Sequence, residues 1–168
     1  WATLYPGMIE YNPKHNVVAV DAKTKTIKFE VQDDVKADVL NLLPLMRAGD
    51  IAVKSGIANS NGRWVQVNYL NFAATAAKDI HVLGDSIQIA PAMPKSGHMA
   101  NQHGKTCAAA VVALLTGKTP NAMPIYNNTC YSFVSEEDVI HVASVHQYDA
   151  AKKTMVTVAG SGGVSSAA

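Results

Sequence analysis

Hydrophobic residues fall into short strand-like runs along most of the chain and into one long helical stripe. β-favouring runs at residues 17–21 and 26–31 flank a Lys/Thr turn and predict a hairpin. An apolar run over 37–43 stops at Pro44 and predicts a mostly buried strand. A short helix is expected over 46–58, then a turn at Asn61-Gly62 and a strand near 64–67. Residues 80–83, Ile-His-Val-Leu, are short and apolar enough to belong inside a sheet.

From Ser96 to Leu115 the period becomes helical. Met99, His103, Cys107, Ala110 and Leu114 recur on one stripe, and Thr116-Gly117-Lys118 supplies the stop. Ala100, Gly104 and Ala108 make a neighbouring face of small residues, suited to close packing on a sheet. The last third returns to strands at 129–134, 139–148 and 154–159, an antiparallel meander turning near 150–153. The Gly/Ser/Ala-rich tail, 160–168, is expected to fray. The chain thus reads as α/β in the mixed α+β sense: a β-rich piece (about 1–43), an α/β core (about 44–120) and a β-rich end. That order suits segments of a larger multidomain protein.

Charge sharpens this picture. Only 16% of the 168 residues are charged, against roughly 25% in typical soluble domains, so part of the exterior is expected to be covered by another surface. A net charge of +1 argues against a nucleic-acid partner, which needs a basic stripe. The longest apolar run, 107–115, is far short of the roughly 20 residues of a membrane-spanning helix. The start shows no charged leader ahead of an apolar stretch, and Trp1 as first residue points to processing or truncation of a longer chain.

The chemistry concentrates around "DIHVLGDSIQIAPAMPKSGHMANQHGK". Asp85 follows the 80–83 run, so its carboxylate is expected at a sheet's carboxyl edge, where α/β sheets bind ligands. A carboxylate there suits hydroxyl donors of a sugar or polyol. Lys95 and the helix start at Ser96-Gly97 offer positive charge and unpaired N–H groups to an anionic ligand group. A polyol arm ending in a ring that becomes anionic on reduction satisfies both halves, as a reduced flavin on its ribityl arm does. The same residues also suit an Asp capping a turn and a Ser capping a helix, with no ligand.

This segment resembles the flavoprotein subunit of flavocytochrome c sulfide dehydrogenase. The similarity extends through "VKADVLNLLPLMRAGDIA", "NNTCYSF" and "SGGV". The Gly84-Asp85 and Pro-Lys-Ser-Gly elements alone are shared with sulfide:quinone oxidoreductases and other two-dinucleotide-binding flavoproteins. The resemblance implies a central to C-terminal portion of the subunit. Residues 1–45 would close an NAD-like domain, 46–120 would be the returning half of a Rossmann-like FAD domain, and 121–168 would begin a C-terminal interface domain. It implies FAD as cofactor, with Gly84 and Asp85 at the ribityl hydroxyls and Lys95, Ser96 and Gly97 at the pyrimidine side of the ring. It further implies sulfide as substrate, a haem-carrying cytochrome c partner and a periplasmic location. His98 stands where the family string has Tyr. The Gly-x-Gly-x-x-Gly pyrophosphate turn is absent from these residues, so the chain alone is expected to hold FAD weakly, to be inactive and to associate with itself.

The two cysteines, Cys107 and Cys130, can pair with each other, with absent cysteines or with nothing. Residue by residue, both read as small buried thiols, Cys107 most clearly because it lies on the helical stripe. The resemblance implies more for Cys130 in "NTCYS": one half of a redox-active, catalytic disulfide whose second cysteine lies upstream of this sequence. The histidines make no metal site, since His98/His103 and His141/His146 are each five apart and face different ways. Asn127-Asn128-Thr129 fits a glycosylation triplet. A non-enzymatic α/β binding or interaction domain, and a flavoprotein of the sulfide:quinone oxidoreductase kind, are the alternative readings.

Overall fold

The computed structural model describes residues 2–165, so Trp1 and the end of the tail, 166–168, lie outside it. The chain forms two units, Trp1–Leu45 and Met46–Ala168.

The first unit is a three-stranded antiparallel sheet in the order β1 (Val17–Asp21), β2 (Thr26–Phe29), β3 (Val35–Lys36). The hairpin turn closes because Asp21 Oδ1 accepts the N–H groups of Lys23 and Thr24, and Lys25 takes the left-handed conformation at φ 57°. The strand expected over 37–43 does not form. Val39 and Leu43 are 85% and 88% exposed, and β3 pairs β2 through Val35 and Lys36 alone. An apolar run marks a need for cover; it does not supply a ladder partner.

The second unit is built on α2 (Gly97–Leu115), which packs on β4 (Ile125–Phe133) and on the 3₁₀ turn Gly84–Ser86. β4 pairs antiparallel with β5 (Val139–Asp149) along its length. The other edge of β5 takes β6 (Thr154–Thr157) and β7 (Gly163–Val164). Tyr69, Phe72, Ile87, Met93, Met99, Cys107, Tyr126 and Met155 make the main core, and Ala48, Ala52, Val65 and Ala74 a smaller one. Helix and antiparallel sheet together make a mixed α+β fold. The one parallel pairing among the described residues is the isolated Val65–Ile87 bridge.

Several local expectations are corrected here. The 46–58 helix shrinks to α1 (Asp50–Lys54), ended by Ser55 and a left-handed Gly56. The Asn61-Gly62 turn forms, both residues at positive φ, but 64–67 and 80–83 make isolated bridges in place of strands. Their backbones bond to loops, such as Val65 N–H to the Ser86 carbonyl and Val82 N–H to the Phe72 carbonyl. The buried stripe of α2 ends at Ala110, and among the described residues none buries Leu114, which stays exposed. Of the small-residue face, Ala100 meets the Gly84 turn in place of a sheet, and Ala108 is exposed. Of the tail expected to fray, the described part is tied down: Gly163–Val164 pairs with β5, and Ser165 N–H bonds the His141 carbonyl; residues 166–168 lie outside the described residues.

Candidate functional site

Ser96 starts α2 in an extended conformation, and its Oγ accepts the Met99 N–H at 3.0 Å, the geometry of an N-cap. Among the described residues no acceptor meets the N–H groups of Gly97 and His98. The helix start therefore keeps free donors at the positive end of its dipole.

Lys95 is held beside it. Its Nζ donates to the Asp85 carbonyl at 2.6 Å and the Ile87 carbonyl at 2.7 Å, and lies 3.8 Å from the centroid of the Trp64 ring. An ammonium has three donors, so one remains. Burial lowers the Lys95 pKa, and the nearby Asp85 charge opposes that shift. Asp85 does not stand at a strand tip as expected. It sits in the 3₁₀ turn, exposed, because Gly84 turns the chain at φ 67°. A side chain on Gly84 would also bring a Cβ to 3.2 Å from that of Ala100. The Gly84 N–H points inward and donates to Nδ1 of His103, which is fully buried between Phe72 and Tyr126.

Cys130 is an exposed free thiol on β4, and Cys107 is a buried free thiol whose pKa burial raises. On the strand, Asn128 shares the Cys130 face. Asn128 is 3% exposed. Its Oδ1 accepts from the Ser96 hydroxyl, and its Nδ2 donates to Cys130 Sγ at 3.2 Å. Thus Lys95, Ser96 and Gly97 gather at the helix start with Gly84 and Asp85 next to them, and Asn128 joins that start to Cys130. Asn128, Trp64 and the Gly84–His103 contact were not singled out from sequence as site features. Period-two spacing before Cys130 was the one available signal, for Asn128. Among the described residues no group of three or more His, Cys, Asp or Glu could hold a metal, and no helix is long and apolar enough to cross a membrane.

Residues 122–168 match the family described as flavocytochrome c sulphide dehydrogenase, flavin-binding. Residues 1–44 match that of the central part of the sulfide dehydrogenase flavoprotein chain. Together the two matches span more than half of the chain. The chain belongs to the flavocytochrome c sulfide dehydrogenase flavoprotein family, and its cofactor is FAD.

Proposed function

We propose that this chain is the part of a sulfide dehydrogenase that presents Cys130 to sulfide beside the flavin, with a cytochrome c subunit as electron acceptor. The observation that carries the reading is the Ser96–Asn128–Cys130 connection, which ties an exposed thiol to a helix start with free donors. Asp85 holds ribityl hydroxyls, and Lys95, Ser96 and Gly97 face the ring edge where negative charge collects. Residues 1–45 complete an NAD-like domain, 46–120 the FAD domain, and 121–168 begin the interface domain. In this reading the protein works in the periplasm, an assignment that rests on family resemblance.

Chemically, Cys130 is half of a disulfide with an upstream cysteine outside this sequence. Hydrosulfide attacks one sulfur, forming a new S–S bond, and the old S–S bond breaks with its electron pair leaving on the other sulfur. The products are one persulfide and one thiolate. FAD, when bound, supplies the two-electron acceptor for the oxidation and the route to the cytochrome haem. Asn128 keeps the Cys130 sulfur fixed during the exchange, and Cys107, buried in the core, takes no part.

Absorbance and turnover test this. The flavoprotein purified with its cytochrome partner should show flavin bands near one per chain and reduce the haem when sulfide is added. Protein without flavin bands, or with flavin but no sulfide-dependent haem reduction, would overturn the proposal.

A further inference from the structure

We infer that Asn128 is a positioning residue that presents an amide N–H to Cys130 and is held in that orientation by the N-cap of α2. The inference rests on the reading of Cys130 as the reacting sulfur. The bonds run in one direction: the Ser96 oxygen accepts the Met99 N–H, the Ser96 hydroxyl donates to Asn128 Oδ1, and Asn128 Nδ2 donates to Cys130 Sγ. Each link constrains the next. A Ser hydroxyl has a single hydrogen, and giving it to Oδ1 turns the amide so that its NH₂ group faces the sulfur.

Asn128 is buried while Cys130 is exposed, so the amide approaches the sulfur from the protein side and leaves the outer side open to a small reactant. Burial also makes the amide's orientation costly to change, since a flip would put Oδ1 against the sulfur and strand the Ser96 hydroxyl. An N–H directed at sulfur stabilises negative charge that collects there. The thiolate is the form that leaves when a disulfide at Cys130 is opened and the form that re-forms the bond. Ser96 therefore does two jobs, capping the helix with its oxygen and setting the sulfur's donor with its hydrogen.

The alkylation rate of reduced Cys130 reads this directly. Iodoacetamide is added to the full chain at one fixed neutral pH, and peptide mass spectrometry separates Cys130 from Cys107. Asn128→Asp keeps the shape but replaces the donor with an anion, and should slow Cys130 alkylation by about three- to tenfold. Ser96→Asp keeps an N-cap acceptor for Met99 but has no hydrogen for Oδ1. It should slow Cys130 to a similar degree while the helix signal in circular dichroism stays at the wild-type level. Ser96→Thr, which keeps both functions, should restore the wild-type rate. Wild-type alkylation in folded Ser96→Asp or Asn128→Asp would overturn the inference. Slowing that Ser96→Thr fails to reverse would overturn the role given to the Ser96 hydrogen. Because this readout needs neither sulfide nor flavin, it stands apart from turnover: loss of the slowing refutes the relay, while a Cys130 variant that still turns over refutes the reacting-sulfur reading.

Discussion

The Gly84 amide donates to Nδ1 of His103 at 3.3 Å, so a buried imidazole on α2 holds the turn that carries Asp85. Nδ1 must be unprotonated to accept. The proton of the neutral ring is then on Nε2, which is buried with no hydrogen-bond partner among the described residues. Burial, with Lys95 adding repulsion, lowers the His103 pKa from 6.5 to about 4. The unfolded chain therefore binds a proton below pH 6.5 that the folded chain refuses until about pH 4. The stabilising contribution is complete above that window and is lost as pH falls through it, by about 3 kcal/mol at most. His103→Gln keeps an acceptor for Gly84 without titrating there. Urea unfolding across the window should show a shallower pH slope for the variant; equal slopes would contradict the account. His146, whose pKa burial also lowers, contributes equally to both proteins.

Gly84 needs its left-handed conformation and has little room for a side chain. Gly84→Ala should destabilise the protein by about 1–2 kcal/mol from backbone strain, with further loss if Ala100 cannot give way. The thermal midpoint should fall, and FAD retention with it. An unchanged midpoint would show that the turn is not strained.

Lys95 is braced by two carbonyls and the face of Trp64. Lys95→Met should cost about 1–2 kcal/mol by leaving both carbonyls without that donor. Trp64→Leu should cost part of this through the lost ring contact, about 0.5–1 kcal/mol. A double-mutant cycle measured by denaturation should give coupling of that size. Additive effects would mean that the ring does not support the ammonium.

What could be read from the sequence was what is encoded locally. The hairpin of β1 and β2, the Ser96 cap, the Met99–His103–Cys107–Ala110 stripe and the final meander all follow from period and turn residues. Residues 37–43, 64–67 and 80–83 depart from the expected strands for one reason: an apolar run marks a need for cover, whereas a strand needs a neighbouring backbone in register. At 64–67 and 80–83 the neighbours are loops. The site divides the same way. Gly84, Asp85, Lys95, Ser96 and Gly97 could be named because they are close in sequence. Asn128 meets Ser96 across 32 residues, and no local pattern announces that contact.

Cys107 and Cys130 separate packing from chemistry. Cys107→Ser places a hydroxyl in the core and should cost about 1–3 kcal/mol of stability, with sulfide-dependent turnover largely retained. Loss of turnover from a folded Cys107→Ser protein would move the chemistry to the wrong thiol for this account.

The most direct measurement is sulfide-dependent cytochrome reduction by Cys130→Ser in the complete flavoprotein–cytochrome complex. A serine hydroxyl can neither form the disulfide nor leave as a thiolate, while Asp85, Lys95 and the α2 start are untouched. The account predicts wild-type flavin content, an intact fold, and haem reduction lowered by orders of magnitude. Near-normal haem reduction by the flavin-loaded variant would contradict it.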